Sequence, residues 1–585
     1  MQFLLTAINA KYIHTNPALY SLRAYAGKEL APFISLAEYT INQRLEEVLG
    51  DLYKRHPDVI GLSCYIWNFH FIQELLKEIP KVLPDTDIWL GGPEVSCEAE
   101  EILKKYPEVR GIMIGEGEAT FKDLLSYYAE KEDHRIDSVP HSLKEIPGLI
   151  LHEGATMPRE PVNFGEIPFL YDHLEEFDNK IIYYETSRGC PFRCAYCLSS
   201  IDKRLRFRDG NKVKKELQFF LDHKVPQVKF IDRTFNCNHD HAMEIWKYLK
   251  AHDNGVTNFH FEIAADLMTD EELALLKTMR PGLMQLEIGV QTTNPETLKA
   301  VSRITNISKI EKAVSEIRKS KNIHIHLDLI AGLPLEDYES FGRSFNRVYA
   351  MRPHQLQLGF LKVLKGTAIW QQVDSYGIVY QENPPYEVLY TKWLSYGEIL
   401  KLKQIEEMVE LYYNSNQFLY TLPVLEREFV SPFVMFEKLA EFYERKGYFT
   451  NSPARSHRYH VLLEFAKEKA PDKEDLFAEL LTFDYYLREN AKSRPDFAPD
   501  LSLWREPIWN FYQKEEAAPK LLKAYSDYHA RQTMKMTHME AFHYRVWEGA
   551  GGLEWIRQEE PFFVLFDYAE RDVLTGAAAF HEVKP

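Results

Sequence analysis

Three cysteines in one short loop are the residues of this sequence best suited to chemistry. Cys190, Cys194 and Cys197 have the spacing C-x3-C-x2-C and follow directly after the apolar run of residues 181–184. Thiolates this close together suit a metal centre better than disulfides. A fully ligated [4Fe–4S] cluster takes four cysteines, so three would leave one iron open to bind and reduce another molecule. Zinc is the main alternative, but no fourth Cys or His lies nearby and no second C-x2-C occurs.

The composition narrows the class of protein and its partners. A chain of 585 residues should hold about three or four domains, and its six cysteines are too sparse for a disulfide scaffold, which favours a reducing compartment. The formal net charge of −17 predicts no broad nucleic-acid surface. The N-terminus lacks a signal-peptide pattern, and no run reaches the roughly 18 apolar residues of a membrane span. We therefore expect a soluble, cytoplasmic protein without membrane contact.

One basic run just past the cysteine loop opposes the acidic total. It comprises Lys203, Arg204, Arg206, Arg208, Lys212, Lys214 and Lys215. A solvated helix start or local ion pairs are the simpler interpretation, and contacts to an anionic cofactor or substrate are the alternative. Because of this run, the sequence still allows a tRNA substrate.

The elements that must position the cysteine loop form two α/β series. Residues 1–135 alternate short buried strands with amphipathic helices, which predicts a Rossmann-like, doubly wound parallel sheet. Residues 136–180 are irregular and contain several prolines, so we interpret them as a linker. Residues 181–372 hold six successive strand–helix units, which predict a partial (β/α)6 barrel with the cysteine loop after its first strand. Ligands of both kinds of sheet bind at the carboxyl ends of the strands.

The remainder of the chain, residues 373–585, has a different pattern. Helical periodicity with many Tyr, Phe and Trp side chains predicts a mostly α-helical domain. Residues 562–583 predict a terminal β-hairpin. His529, His538 and His543 fall on a helix-like stretch, but the last two are five residues apart, a poor match to an i, i+4 metal pair. We expect these histidines to be structural or to contact substrate.

The segment Cys-Pro-Phe-Arg-Cys-Ala-Tyr-Cys, residues 190–197, resembles the radical S-adenosylmethionine (radical SAM) superfamily. The resemblance implies a [4Fe–4S] cluster on Cys190, Cys194 and Cys197, whose open iron chelates SAM and whose electron cleaves SAM to a 5′-deoxyadenosyl radical. Segments that match the family's later strands supply the implied SAM contacts: Tyr196, Asp232 (with Arg233 beside it), Glu262, Glu287, Gln291 and Gly332. Barrel capping or a strand-end turn is the alternative for the strand residues.

Three segments of the first domain, residues 61–68, 91–94 and 115–118, resemble the cobalamin-binding domain of cobalamin-dependent radical SAM enzymes. The resemblance implies cobalamin contacts from Asn9, His14, Ser63, Tyr65, Trp67, Gly91, Gly92, Pro93, Glu94, Gly115, Glu116, Gly117 and Glu118. Glycines in the second segment would let the backbone approach a bulky ring closely. The D-x-H-x-x-G signature, whose histidine ligates cobalt, is absent. A Rossmann-like domain whose glycines only make turns is the alternative.

The other cysteines are weaker candidates. Cys237 ends the second barrel strand, where a thiol could donate a hydrogen atom or bind substrate, although an inert cysteine is the simpler interpretation. Cys64 and Cys97 are expected to be core or surface thiols. Methylthiotransferases place three cluster-binding cysteines in their N-terminal domain, so two here argue against a second cluster.

The resemblance covers residues 1–370 and implies a cobalamin-dependent radical SAM enzyme with cluster, SAM and cobalamin at one cleft. We expect a C-methyltransferase that moves a methyl group from methylcobalamin to an unactivated carbon. Ring contraction or cyclisation without net methyl transfer is one alternative, and a cobalamin-binding redox sensor is another. The implied partner is an external low-potential electron donor of the flavodoxin or ferredoxin type. The substrate stays open between a small molecule, a peptide and an RNA.

Overall fold

The first α/β region is a parallel sheet covered on both faces. The structure is a computed structural model that describes residues 1–133, 140–491, 493–551 and 555–584. The parallel strands of this sheet are Phe3–Asn9, Ile34–Thr40, Val59–Ser63, Asp87–Gly91 and Val109–Met113. They lie in the order second, first, third, fourth, fifth, which confirms the doubly wound arrangement. The topological switch point, where ligands of such sheets bind, falls between the first and third strands.

Burial explains why these short apolar segments form parallel strands. All seven residues of Phe3–Asn9 are buried, as expected for a strand with helices on both sides. The helices are Pro17–Ala26, Leu45–Arg55, Phe69–Val82, Pro93–Ser96, Ala99–Lys105 and Gly117–Asp133. Ile72 and Leu75 belong to one apolar core, whereas Leu19 and Phe121 belong to another, so each face of the sheet has its own core.

The segment interpreted as a linker, residues 136–180, extends this sheet. Its first four residues, like the expected boundary at residue 135, lie outside the described residues. Leu149–Leu151 pairs antiparallel with Val109–Met113, and Gly154–Ala155 pairs with Leu149–Leu151 in turn. The interpretation as irregular chain missed these strands because a three-residue apolar run has no readable period, and only the free edge of the sheet supplies its partner.

Six parallel strands form the partial barrel. They are Ile182–Tyr184, Gln227–Phe230, Asn258–Ile263, Met284–Gln291, His324–Ala331 and Gln355–Phe360. They pair in chain order, so the first and sixth strands are the two edges of an open sheet. The intervening helices are Gly210–Asp222, His239–Ala251, Asp270–Leu276, Pro295–Ala300, Ile307–Ser320 and Tyr338–Tyr349. Since all strands run the same way, their carboxyl ends share one rim, and the cysteine loop lies there.

The C-terminal region is mostly helical, as predicted. Its helices are Ala368–Gln371, Val373–Tyr376, Tyr396–Met408 (continued by a π-helical turn, Val409–Asn414), Thr421–Leu425, Pro432–Lys446, Arg458–Lys469, Glu474–Arg488, Arg505–Ala517 and Ala530–Met536. A short antiparallel hairpin, Val379–Tyr380 with Val388–Tyr390, lies between the second and third of them. Among the described residues, no helix is both long enough and apolar enough to span a membrane.

An antiparallel three-stranded sheet ends the chain. Phe562–Arg571 and Ala578–Val583 form the predicted terminal hairpin, and Thr537–Phe542 pairs with the first of them. This third strand corrects the interpretation of the stretch around His538 as helix-like, because the helix ends at Met536. Five of the six residues of Thr537–Phe542 are buried. Pairing with a hairpin that lies later in the chain decided its conformation.

The barrel and the helical region share one hydrophobic core. The core cluster runs without interruption from Ile182 in the first barrel strand to Phe566 in the terminal sheet. At the junction, the Phe436 ring lies with its centroid 5.8 Å from that of Phe345 and 5.9 Å from that of Tyr349. The barrel and the helices as far as Glu474–Arg488 therefore share their interior, whereas helices Arg505–Ala517 and Ala530–Met536 have a separate core with the terminal sheet and the first domain keeps its own cores.

Candidate active site

The cysteine loop lines a cavity of about 240 Å³ at the carboxyl rim of the barrel. Cys190 and Cys194 are buried, Cys197 is half-buried, and all three are free thiols. Asp232 holds the start of the loop, because its carboxylate accepts hydrogen bonds from the Thr186 amide at 3.0 Å and the Ser187 hydroxyl at 2.6 Å. Asp232 was expected to contact SAM. It lies instead beneath the loop, fully buried, and is not among the lining residues.

Four residues with implied SAM contacts do line this cavity. They are Tyr196, Glu262, Glu287 and Gln291, and Arg233 and Asp328 line it with them. Gly332 is not part of the lining. Its φ is +87°, and a Cβ built on it would lie 2.7 Å from Val388, so it packs against the short hairpin instead.

Arg303 is a lining residue that the sequence analysis missed. Its Nη1 lies 3.4 Å from the Cys194 sulfur and 3.4 Å from the Tyr196 hydroxyl, and its Nη2 donates to the carbonyl of Gly289. The guanidinium thus brings a positive charge next to one sulfur of the cysteine loop. Arg303 lies in the turn between helices Pro295–Ala300 and Ile307–Ser320, a position that carried no motif to single it out in the sequence.

Two carboxyl groups of the small cavity have pKa values shifted in opposite directions. Burial alone would raise the pKa of Glu287, but a hydrogen bond from His260 at 3.0 Å and the charge of Lys229 at 3.1 Å lower it to about 2. Burial, reinforced by the charge of Glu287, raises the pKa of Glu262 to about 7. Near neutral pH the first is an acceptor only, and the second can hold a proton.

A second, larger cavity of about 970 Å³ lies between the first domain and the barrel. Nine residues with implied cobalamin contacts line it: Ser63, Tyr65, Gly91, Gly92, Pro93, Gly115, Glu116, Gly117 and Glu118. The facing wall includes Leu198 and Ile201, from the segment directly after Cys197, and Gly366, beyond the sixth strand. The cysteine loop thus lies between the two cavities.

Two of the remaining implied contacts hold the loop after the first strand. The Asn9 side chain donates to the His14 carbonyl at 3.0 Å and to Glu38 at 3.2 Å. Nδ1 of His14 lies 2.5 Å from the Tyr183 hydroxyl. Neither residue is in the lining of the large cavity, and no histidine is found among its described lining residues.

The other two implied contacts also lie outside the lining. Trp67 is 45% exposed and stacks on Tyr65 with ring centroids 4.3 Å apart, so it supports a residue that does line the cavity. Glu94 is buried and accepts a hydrogen bond from the Tyr386 hydroxyl of the C-terminal region. Its carboxylate therefore joins domains.

Gly92, at the large cavity, must be glycine for a different reason from the expected close approach of a ligand. Gly92 has φ +112°, and a Cβ there would lie 2.5 Å from the carbonyl oxygen of Cys64. Any side chain would collide with this backbone, so the close approach that requires glycine is between two strand ends rather than only toward a ligand. Gly115, with φ +78°, has nothing within 4 Å of its missing Cβ.

Ion pairs connect the Gly-Glu-Gly-Glu segment to the cysteine loop. Arg188, two residues before Cys190, donates to Glu118 at 2.7 Å and lies 3.5 Å from Glu116. Arg206 also pairs with Glu116. Burial alone would raise the pKa of Glu118, but Arg188 outweighs it and lowers that pKa below its usual value. The two carboxylates line the cavity and at the same time bind the barrel.

The basic run after the loop is largely neutralised by local partners, as the simpler interpretation expected. Arg208 pairs with Glu216 at 2.6 Å and Lys214 with Glu244 at 2.5 Å. Lys203 and Arg204 line the large cavity.

The thiols and histidines outside the loop have ordinary environments. Burial raises the pKa of Cys237 to about 11, so its thiol stays protonated, and it is absent from the lining of the small cavity. Cys64 is buried, while Cys97 is exposed and lines the large cavity. His538 stacks on Tyr486 with centroids 3.5 Å apart.

The other two C-terminal histidines also make local contacts. His529 begins the helix Ala530–Met536, and its ring lies 2.8 Å from Glu516. The His543 amide donates to Glu479 at 2.9 Å. All three C-terminal histidines therefore have structural contacts, in line with one of the two expectations.

The donor sets of the two cavities fit an iron–sulfur cluster and cobalamin. Three free cysteine sulfurs face one small cavity next to acceptor oxygens and Arg233, which suits a cluster with a bound amino acid group. The large cavity lies at the carboxyl ends of a doubly wound sheet. Its volume is near the upper end of ordinary small-molecule sites, which run to roughly 1,000 Å³.

Comparison with known families divides the chain into three matched regions. Residues 4–125 match the B12 binding domain family, and residues 184–348 match the Radical SAM superfamily. Residues 374–566 match a family described as a protein of unknown function, DUF4080. The first two matches coincide with the sheet below the large cavity and with the barrel that carries the cysteine loop.

Similar proteins include two curated methyltransferases. A 2-(S-pantetheinyl)-carbapenam-3-carboxylate methyltransferase of Streptantibioticus cattleyicolor is 28% identical over 306 residues, which are 49% of this chain and 44% of that protein. The cobalamin-dependent radical SAM methyltransferase TokK of Streptomyces tokunonensis is 25% identical over 367 residues, 56% of this chain and 51% of that protein. The chain thus spans about half the length of these relatives.

Among solved structures, the cobalamin-dependent S-adenosylmethionine radical enzyme OxsB with aqua-cobalamin bound has a similar fold. The TM-score is 0.55 at 17% sequence identity, and the match covers 82% of this chain and 79% of that one. At this identity the likeness concerns the fold alone.

Proposed function

We propose that this chain, a cobalamin-dependent radical SAM enzyme by its domains, transfers a methyl group to a carbon atom that carries no activating group. The observation that carries the proposal is the position of the cysteine loop between two cavities: Cys190, Cys194 and Cys197 line the small one, and Leu198 and Ile201 line the large one. A SAM site and a methyl carrier on opposite sides of one loop can serve a common substrate. The curated relatives above are methyltransferases by name.

The protein's own residues would bind and orient the reactants. When bound, the cluster would supply the electron that cleaves SAM, and cobalamin would carry the methyl group. Arg233 can pair with the carboxylate of SAM. Glu287 stays ionised and can accept hydrogen bonds from hydroxyl groups, and the Gln291 Oε1 is buried without a partner among the described residues. The Arg303 guanidinium lies beside the Cys194 sulfur and brings a positive charge next to the cluster that the cysteines would hold.

The cysteine variants test the radical chemistry. We expect Cys190→Ala, Cys194→Ala and Cys197→Ala, each purified and reconstituted without oxygen, to lose the brown cluster absorption and to form no 5′-deoxyadenosine from SAM. Cys237→Ala is the matched control and should keep the cluster spectrum, because its thiol is protonated and outside the cavity lining. If the wild-type protein makes no 5′-deoxyadenosine with a strong chemical reductant, the proposal is wrong, and a redox sensor becomes the better explanation.

Labelled SAM distinguishes methylation from rearrangement. With SAM carrying a ¹³C methyl group, methyl transfer predicts a product about 15 mass units heavier than the substrate, because ¹³CH₃ replaces a hydrogen atom. An unlabelled methyl group would add about 14. Ring contraction or cyclisation would leave the label out of the product. An external flavodoxin- or ferredoxin-type donor is the proposed physiological source of electrons.

A further inference from the structure

A third cavity, of about 690 Å³, opens at the free edge of the partial barrel. The sixth strand, Gln355–Phe360, forms one wall, and helix Tyr396–Met408 of the C-terminal region forms the other. Apolar side chains cover the barrel side: Leu329, Ile330, Leu358, Phe360, Leu361 and Leu364. The helix contributes Lys403, Glu406 and Glu407. The cavity is therefore amphipathic: the barrel supplies two charged lining residues, Asp328 and Lys362, and the DUF4080 region supplies four, Glu387, Lys403, Glu406 and Glu407.

This cavity adjoins the one that the cluster cysteines line. Tyr196, Gln291 and Asp328 belong to the walls of both. Gln291 Oε1 is buried and has no hydrogen-bond partner among the described residues, whereas Asp328 Oδ1 lies 3.0 Å from His326 Nε2. The unpartnered Gln291 acceptor therefore lies at the junction of the two cavities. A molecule in the third cavity would have one end next to the site proposed for SAM.

The carboxylates of the third cavity are unevenly paired. Lys403, the cation that helix Tyr396–Met408 contributes to the lining, forms its ion pair with Glu387. Glu406 and Glu407 are half-buried, and neither carboxylate forms a hydrogen bond or an ion pair with another described residue. Burial raises the pKa of both, and neighbouring carboxylates raise that of Glu406 further. The charges of Lys403 and Arg458 offset this rise only in part. The lining holds four carboxylates (Asp328, Glu387, Glu406 and Glu407) and two cations (Lys362 and Lys403), so the excess of negative charge favours a cation that would enter the cavity.

We propose that this third cavity is the substrate pocket and that it selects a substrate with a positively charged amine attached to an apolar body. The inference rests on the proposed function and adds the chemical class of its substrate. The apolar body lies along the strand wall, the ammonium group pairs with Glu406 and Glu407, and the reacting carbon lies toward Tyr196 and Gln291. An anionic substrate would face a net excess of negative charge on the helix wall.

A charge-matched pair of probes tests this selection without turnover. Dansylcadaverine carries a primary ammonium group on an apolar body, and its N-acetyl derivative has the same body without the charge. Equilibrium dialysis against the full-length protein with its cluster and cobalamin loaded gives both dissociation constants. We expect the amine to bind at least about tenfold more tightly than the acetylated probe. Equal binding of the two probes would overturn the inference.

A double variant locates the selectivity. Glu406→Gln/Glu407→Gln should weaken dansylcadaverine binding by about tenfold and bring it close to that of the acetylated probe, because the amides keep the shape and remove the charge. Glu441→Gln/Glu444→Gln changes net charge equally on the exposed face of helix Pro432–Lys446 and should leave the ratio of the two constants unchanged. If both double variants lower amine affinity alike, general electrostatics rather than this pocket is responsible, and the inference fails.

The binding test and the activity test fail separately. Protein that forms 5′-deoxyadenosine but does not distinguish the two probes would refute the amine selection and leave the proposed function standing. Protein that distinguishes them but never cleaves SAM would refute the proposed function.

Discussion

The first domain and the C-terminal region lie on the same barrel but attach to it by different kinds of contact. The C-terminal helices as far as Glu474–Arg488 share one apolar core with the barrel strands, whereas Arg505–Ala517 and Ala530–Met536 form a separate core with the terminal sheet. The first domain keeps two cores of its own and meets the barrel mainly through polar side chains, such as Glu118 with Arg188 and Glu38 with Lys180. Tyr20, which packs on Phe177, belongs to the barrel core, and the half-buried Leu36 packs against that core.

The apolar interface is expected to be rigid, whereas the polar interface of the first domain can change with the conditions. An apolar interface of this extent resembles the interior of a single domain, so the barrel and the helix wall of the third cavity should behave as one rigid unit. A polar interface is weaker and depends on pH and salt. It lies where a large cofactor would have to enter, between the first domain and the loop 198–204.

Breaking the apolar junction should have the largest effect. Phe436→Ala removes a fully buried ring that packs on Phe345 and Tyr349, and such truncations cost about 3–5 kcal/mol. Thermal unfolding followed by calorimetry should show barrel and helical region still melting together, at a lower temperature. Val430→Ala, at a side chain 92% exposed, is the control and should change little. Separate melting of the two regions in the wild-type protein would contradict the shared core.

Breaking the polar junction should loosen the first domain selectively. Arg188→Ala leaves the buried Glu118 without its cation, and removing one partner of a buried pair costs about 3–5 kcal/mol. We expect the first domain to become sensitive to limited proteolysis at its junction and the electron paramagnetic resonance signal of the reduced cluster to broaden. Arg204→Ala, whose side chain is 60% exposed, provides the control in the same segment. Unchanged proteolysis and an unchanged signal would show that the ion pairs do not position the loop.

Acidification should act on the two regions with opposite sign. Burial raises the pKa of Glu336, in the barrel, to about 7, so the folded state binds its proton more tightly than the unfolded state. This group stabilises the fold fully below the unfolded pKa of 4.5 and loses roughly 3 kcal/mol as pH rises to about 7. Glu118 has a lowered pKa, so its contribution is present above 4.5 and is lost as pH falls.

The variant Glu336→Gln isolates the barrel contribution. Its unfolding free energy, measured with denaturant between pH 4.5 and 7, should lack the decline that the wild-type group produces. In Glu118→Gln, the contact between the first domain and the barrel should no longer weaken as pH falls, because the titrating carboxylate is absent. The same pH slope in wild type and Glu336→Gln would mean that this carboxyl group does not titrate as its burial indicates.

A rim contact should have the smallest effect. Lys365, which lines the large cavity, pairs with Glu98 of the first domain at 2.5 Å, but both side chains are partly exposed, at 27% and 34%. Exposed pairs of this kind contribute about 0.2–1 kcal/mol. Lys365→Ala should therefore lower stability by less than 1 kcal/mol, and the difference from wild type should shrink as salt is added. A loss comparable to that of Arg188→Ala would remove the distinction between rim and buried contacts.

Local pattern was enough for the parallel strands and for the cysteine loop. Buried runs such as Phe3–Asn9 are continuous in apolar character, and the helices between them keep a helical period, so both α/β series could be predicted. The strand Thr537–Phe542 could not, because its partner Phe562–Arg571 comes later and supplies the pairing. Leu149–Leu151 was missed for the same reason.

The sequence alone determined the chemistry that the chain can hold: three cysteines at a spacing for a cluster with an open iron, at the carboxyl end of a barrel strand. Only the tertiary structure decided which polar groups surround it. Asp232 faces the loop rather than the cavity, Arg303 approaches Cys194 from a distant loop, and Glu118 joins two domains. Spacing along the chain fixes which donors are near one another, but the direction of a carboxylate follows from the hydrogen-bond donors that folding brings to it.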